Sequence, residues 1–297
     1  MQENWFGYPR TFCGLEGALA NADDARVLVL PVPYDSTTTY RTGAREGPQA
    51  IIDASVNMEL FDLELTREIS DVGIHTLPEV MPVMAGPQQM TERLYAIAKE
   101  LVARDKLLVS LGGEHSLTPP LVQAFTERYP NLSVLYFDAH ADLRDAYEET
   151  RFSHACAARR VVEMCPVVQA GIRSLSQEEW EFLKTKPRVT TFYAEEFPLS
   201  AERIEQLVDA LTDDVYISID LDVLDPSIML GVGTPEPGGL TWNDALSVLR
   251  RVAQHRHIVG FDLMEYCPPE GNTASAFTAA KLAYKLMGYA THEWTKG

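Results

Sequence analysis

Short continuous apolar runs alternate with segments of helical period along this chain, and that alternation leaves few folds open. The runs are Arg26 to Val32, Lys106 to Leu111, Leu132 to Tyr136, Val167 to Ile172, Arg188 to Phe192, Val215 to Ile219 and His257 to Leu263. Between them, apolar residues recur at helical spacing, as at Leu94, Ile97, Ala98 and Leu101 in the stretch Gln88 to Arg104. Further helices are expected over Gln49 to Ser55 behind Pro48, Leu121 to Tyr129, Ala157 to Met164 and Thr273 to Tyr289. Ser176, Ser200 and Thr241 cap three more, with Glu179 and Asp244 at the third position of two of them and Arg203 denying Ser200 a full capping box. Strand-helix alternation of this kind predicts an α/β fold, a three-layer α/β/α sandwich with a central, mainly parallel sheet. No linker or repeat divides the chain, so one domain, 1–297, is expected. Residues 68–86 read as irregular, and residues 1–25, with Trp5, Phe6, Tyr8 and Phe12, as an N-terminal arm suited to packing on a neighbouring subunit.

In open α/β sheets, sites form at the carboxyl ends of the strands. Four strand ends here carry ligand-type residues: His115, the group Asp138, His140 and Asp142, the pair Asp220 and Asp222, and Glu265. In Phe137-Asp138-Ala139-His140-Ala141-Asp142 the three polar side chains alternate, and alternate side chains of extended chain point the same way. Two histidines and four aspartates exceed the needs of one ion unless it is calcium, which disfavours imidazole. Two bridged divalent ions use such a set well. Asp225, before Pro226, reads as a turn residue, and Arg173 as a structural cation paired with acidic loops.

A net charge of −18 argues against a nucleic-acid partner, because a phosphate backbone needs a basic face. No apolar stretch approaches the length of a membrane span, and the N-terminal residues lack the pattern of a signal peptide. The scattered Cys13, Cys156, Cys165 and Cys267 form no C-x-x-C pair, which fits a reduced compartment, and a cytoplasmic location is expected.

Taken together, Gly-Gly-Glu-His-Ser (112–116), Phe-Asp-Ala-His-Ala-Asp (137–142), Ser-Ile-Asp-Leu-Asp-Val-Leu-Asp-Pro (218–226), Gly-Thr-Pro-Glu-Pro-Gly-Gly (233–239) and Gly-Phe-Asp-Leu-Met-Glu (260–265) resemble the ureohydrolase family of arginases and agmatinases. The resemblance runs from the Pro33-Tyr34-Asp35 loop to Glu265; the family usually has Thr where Ala141 stands. It implies an arginase-like fold and two Mn2+ ions per chain, with Ni2+ an alternative. One ion would take His115, Asp138, Asp142 and Asp220, and the other His140, Asp138, Asp220 and Asp222. It implies that Asp142 relays a proton to the leaving amine, that Glu265 and Thr234 hold the guanidinium, and that His154 exchanges protons with bulk water. Activity would then rise toward alkaline pH as the bridging water and His154 lose protons. A homo-oligomer, trimer or hexamer, is expected on the same ground.

The loop Leu143 to Thr150 bears on the substrate. Arginases place Asn two residues after the last aspartate of the second motif, where Arg144 stands here, and the pattern Asp-Leu-Arg, Tyr-Glu, Ser-His looks like bacterial agmatinases. Agmatine, cleaved to putrescine and urea, is the expected substrate, with Glu148 and Glu149 receiving its distal ammonium and Arg144 pointing away. N1-aminopropylagmatine is the alternative, then arginine or guanidinobutyrate. From other classes come a catalytically silent metal-binding partner subunit and a single-zinc deacylase, both disfavoured by the completeness of the ligand set.

Overall fold

A computed structural model describes residues 9–185, 188–269 and 271–293. Its core is an eight-stranded sheet built from β1 (Val27–Val32), β4 (Ile74–Thr76), β5 (Leu107–Gly112), β6 (Leu132–Phe137), β7 (Val167–Ile172), β8 (Val189–Tyr193), β9 (Asp214–Asp220) and β10 (His257–Met264). The spatial order is β4-β1-β5-β10-β9-β6-β7-β8, and every adjacent pair runs parallel. A separate hairpin pairs β2 (Phe61–Asp62) with β3 (Arg67–Glu68). The helices are α1 (Gly47–Ser55), α2 (Pro87–Val102), α3 (Thr118–Arg128), α4 (Ala157–Met164), α5 (Gln177–Lys184), α6 (Ala201–Asp209), α7 (Trp242–His255) and α8 (Ala274–Ala290).

The strands are apolar on both faces because both faces are covered, as parallel sheets require. On one side Val29, Val109, Leu135, Ile217 and Phe261 pack under α1, α6, α7 and α8. On the other, Leu28, Leu108, Val134, Tyr136 and Tyr216 pack under α2, α3 and α4, with Phe182 of α5 against the same layer. This is the expected three-layer sandwich. Reciprocal capping boxes start α5 (Ser176 with Glu179) and α7 (Thr241 with Asp244), whereas Ser200 only accepts from the Arg203 amide.

Two expectations need correction. Residues 68–86 are not wholly irregular, since β4 lies among them as an edge strand on β1. Its three residues, Ile-His-Thr, bury one apolar side chain and so leave no apolar run to detect. The N-terminal segment, from Phe12 onward, belongs to its own chain. Phe12 is fully buried in the core, its amide donates to Thr76 Oγ1 (2.8 Å), and the Cys13 amide donates to Ser55 Oγ (2.7 Å). Trp5, Phe6 and Tyr8 lie outside the described residues. No described helix is long and apolar enough to cross a membrane.

Candidate metal centre

Four neighbouring strands, β5, β10, β9 and β6, deliver the chemistry at their carboxyl ends. After β5 the chain makes a close approach to the loop following β1. A Cβ on Gly113 would meet Tyr34 O at 1.9 Å, so only glycine lets the Glu114 amide reach that carbonyl (2.9 Å). This contact fixes His115, which is fully buried. After β6, the His140 amide donates to Asp138 Oδ1 (2.6 Å), curling the chain back on the aspartate. Asp142 follows with φ of 52°, and Glu265, after β10, has φ of 65°. Non-glycine residues in this left-handed region carry backbone strain, which collects at functional sites. At the end of β9, Asp220 Oδ1 accepts from the Asp222 amide (2.8 Å), turning both carboxylates toward the same space.

The expected ligands converge. His115 Nδ1 lies 3.1 Å from Asp220 Oδ2, 3.2 Å from Asp138 Oδ2 and 3.6 Å from Asp142 Oδ2. His140 Nδ1 lies 2.9 Å from Asp222 Oδ2 and 3.6 Å from Asp138 Oδ1. Two triads result, His115-Asp138-Asp220 and Asp138-His140-Asp222, each with ligand atoms within 4.8 Å of one another, and Asp138 is common to both.

The second nitrogen of His115 is engaged. Its Nε2 sits 2.9 Å from Ser218 Oγ, which donates to Asp262 Oδ1 (2.7 Å). Asp262 also accepts from Thr118 Oγ1 and Tyr216 OH. With Ser218 Oγ accepting from Nε2–H, the lone pair of Nδ1 faces the carboxylates, the tautomer a metal ligand needs. Tyr136 stacks on His115, ring centroids 4.5 Å apart, and its hydroxyl donates to Asp142 Oδ2 (2.9 Å).

The electrostatics call for cations. Burial and the neighbouring carboxylates push the Asp142 and Asp220 carboxyls well above their ordinary value. Burial opposes charging of His140, but Asp222 and Asp138 override it and hold the imidazole up to about 12. Asp138 Oδ2 is buried and accepts no hydrogen bond. Such a cluster is stable only with positive charge among the carboxylates, so the residues present fit a pair of divalent ions held by oxygen and imidazole.

A cavity of about 280 Å3 opens over this centre. His140, Asp142, Asp220, His154 and Thr234 line it, with Thr39, Arg144, Tyr147 and Glu179 around them. Thr234 Oγ1 lies 3.4 Å from Asp222 Oδ2. His154 Nδ1 lies 3.7 Å from Glu265 Oε1, and burial, reinforced by His115 and His140, pushes its imidazole down to about 4. Glu265 Oε1 accepts from the His115 amide (2.7 Å), and burial beside Glu114 raises its carboxyl to about 8.

Some sequence expectations do not fit this geometry. Glu148 and Glu149 are exposed at the tip of a tight turn closed by Tyr147 and Thr150, and neither lines the cavity. Arg144 does not point away: it lines the cavity with its guanidinium 4.8 Å from the Tyr147 ring centroid. Arg173 donates to the backbone carbonyls of Gly171, Asp222, Val223 and Glu236 and not to acidic side chains. Asp225 is the expected turn residue, accepting from Ser227, Gly238 and Gly239. Besides Asp142 and Asp220, the cavity is lined by a third buried carboxylate, Glu179, which the sequence marks only as a helix-capping residue. The sequence carries one further signal in Ser218, which alternates with Asp220 and Asp222 and so shares their direction.

Residues 25–288 match the family model described as Arginase family. A relative from Synechocystis sp., named N(1)-aminopropylagmatine ureohydrolase, is 40% identical over 95% of this chain and 94% of its own length. A Pyrococcus horikoshii protein named agmatinase is 35% identical over 89% of this chain and 92% of its own. Among solved structures, the agmatine ureohydrolase of Thermoplasma volcanium superposes with a TM-score of 0.84 at 29% identity, covering 92% of each chain. Sheet order, strand-end ligands and these likenesses agree, and the chain belongs to the arginase family.

Proposed function

We propose that the protein hydrolyses the guanidino group of an amine-terminated substrate, releasing urea and an amine, with two Mn2+ ions as cofactor. The observation that carries this reading is the pair of triads sharing Asp138 beneath an acidic cavity. Two divalent ions, bound by His115, Asp138, Asp142 and Asp220 and by His140, Asp138, Asp220 and Asp222, would supply hydroxide near neutral pH against a carbon that neutral water attacks poorly.

The chain's own residues do the rest. Glu265, buried beside His154 with one oxygen on the His115 amide, has its other oxygen for the guanidinium N–H groups. Thr234, beside Asp222, gives that end a hydroxyl. Asp142 relays a proton to the departing amine, and Tyr136 OH holds its Oδ2 in place. His154, neutral at working pH, passes protons between the site and solvent. Glu179 places a buried carboxylate in the cavity wall, anchored by the Leu143 amide and by Ser176, and attracts the distal ammonium that the exposed Glu148 and Glu149 do not reach.

Between the two amine substrates, the higher identity to the protein named N(1)-aminopropylagmatine ureohydrolase favours the longer one, with agmatine second. A cytoplasmic trimer or hexamer belongs to the same proposal. Urea release from N1-aminopropylagmatine, agmatine, arginine and guanidinobutyrate, with manganese and then nickel, tests it. Either amine substrate should exceed arginine in kcat/KM by roughly fivefold to over a hundredfold, since an uncompensated carboxylate costs roughly 1–3 kcal/mol. Arginine as the better substrate would overturn the choice, and no urea from any of them would overturn the reaction.

A further inference from the structure

Glu114 is fully buried inside the Gly-Gly-Glu-His-Ser stretch, yet the reaction gives it no task. It makes three hydrogen bonds. The Thr37 amide donates to Oε2 (2.6 Å), Thr37 Oγ1 donates to Oε1 (2.8 Å), and Ser116 Oγ donates to Oε1. Thr37 is half-buried in the loop after β1. Its hydroxyl also accepts from the His154 amide (3.0 Å). Two residues on, Thr39 Oγ1 lies 3.4 Å from His154 Nε2, while Nδ1 of the same ring faces Glu265 Oε1 at 3.7 Å. The base of the loop is pinned separately, by the Gly43 amide on Asp35 Oδ2 (2.8 Å) and by the Arg45–Asp35 ion pair.

We propose that Glu114 and Thr37 form a positioning clamp that ties the loop after β1 to the β5 end and so sets where His154 stands relative to Glu265. The Thr37 hydroxyl is the hinge of this clamp, because a single oxygen donates to the carboxylate and accepts from the histidine backbone. Both bonds of that oxygen are lost together if it goes, leaving only the Thr37 amide on Glu114 Oε2 and no tie to the His154 backbone. Neither residue touches substrate; they act through His154. The inference rests on the proposed role of His154 in proton transfer.

Thr37→Val keeps the side-chain shape and removes the oxygen, and Thr37→Ser keeps the oxygen. In the manganese-loaded enzyme, Thr37→Val should lower kcat roughly tenfold to a hundredfold, the scale of a misplacement of about 1 Å. KM and manganese content should stay unchanged, and Thr37→Ser should restore kcat. On a His154→Ala background, Thr37→Val should add no further loss. Wild-type kcat in Thr37→Val, loss of bound manganese in that variant, failure of serine to restore, or a full additional loss on the His154→Ala background would each overturn the clamp. Wild-type urea release is the control: its absence refutes the reaction, whereas the pattern among the variants reads the clamp alone.

Discussion

Replacing Arg173 by methionine tests whether this guanidinium holds the metal-bearing loops in place. Its five hydrogen bonds reach four carbonyls: Gly171 at 3.2 Å, Val223 at 3.2 Å, Asp222 at 2.7 Å, and Glu236 at 3.3 and 2.8 Å. It thereby joins the β7 end, the β9 end and the loop carrying Thr234. A hydrogen bond to a charged group is worth roughly 1.5–3 kcal/mol, but the bonds here share donors and water replaces part of them in a half-buried site. A net loss of about 3 kcal/mol is expected. For a domain of this size each kcal/mol moves Tm by roughly 2–4 °C, so a fall of about 6–12 °C should appear by calorimetry of the metal-free protein. Manganese affinity should weaken roughly tenfold to a hundredfold, as when a residue supporting metal ligands is lost. Equilibrium dialysis measures it, and the effect should be largest at the position served by His140 and Asp222. Arg173→Lys should fall between the two, since one ammonium cannot span four carbonyls. Unchanged Tm together with unchanged manganese affinity in Arg173→Met would refute the argument.

Elemental analysis after manganese loading should find two ions in the wild type, one in His115→Ala, and none retained in Asp138→Ala, because Asp138 is common to both triads. The acid limb of urea release between about pH 6 and 8 should persist in His154→Asn. Burial holds His154 near 4, so it stays neutral through that window, and bound divalent ions act in the same direction. This replaces the expectation that His154 titration shapes the limb, and disappearance of the limb in the variant would reverse the conclusion. Far from the site, Lys285→Met should cost roughly 3–5 kcal/mol in chemical denaturation, since it strips the ammonium 2.9 Å from both oxygens of the buried Asp62. Burial raises the Asp62 carboxyl, but Lys285 together with the Leu65 and Glu64 amides more than reverses this, so its folded pKa lies below the unfolded one. The stabilisation is therefore present above about pH 4 and lost on acidification, and the gap between variant and wild type should narrow from pH 7 toward 3.

Most of the sheet was legible because its central strands are buried on both faces, so β1, β5, β6 and β9 are largely apolar runs; edge strand β4 is not such a run. The candidate metal cluster was legible because a strand has period two, which sets Asp138, His140 and Asp142, and Asp220 and Asp222, on common sides. What escaped depends on contacts between distant segments. Glu148 and Glu149 adopt φ of 45° and 66°, a turn usually written with asparagine and glycine, so the acidic pair gave no sign that it points to solvent. Glu179 looked like a capping residue because it is one; only the packing of α5 beside the β6 loop puts that carboxylate in the cavity wall. Phe12 looked like part of an arm because nothing local shows that Thr76 and Ser55 receive its segment.

The strand order β5-β10-β9-β6 has a consequence for synthesis. β10 and β9 are the last two strands made, yet they lie between two that left the ribosome much earlier. A nascent chain ending after β8 has β5 and β6 with their facing edges vacant and lacks Asp220 and Asp222, one from each triad. Incomplete chains therefore expose unpaired strand edges, the feature that invites aggregation, and have an incomplete candidate metal cluster. Insertion of the final pair completes the sheet, and β9 brings with it the last two residues of the candidate metal cluster.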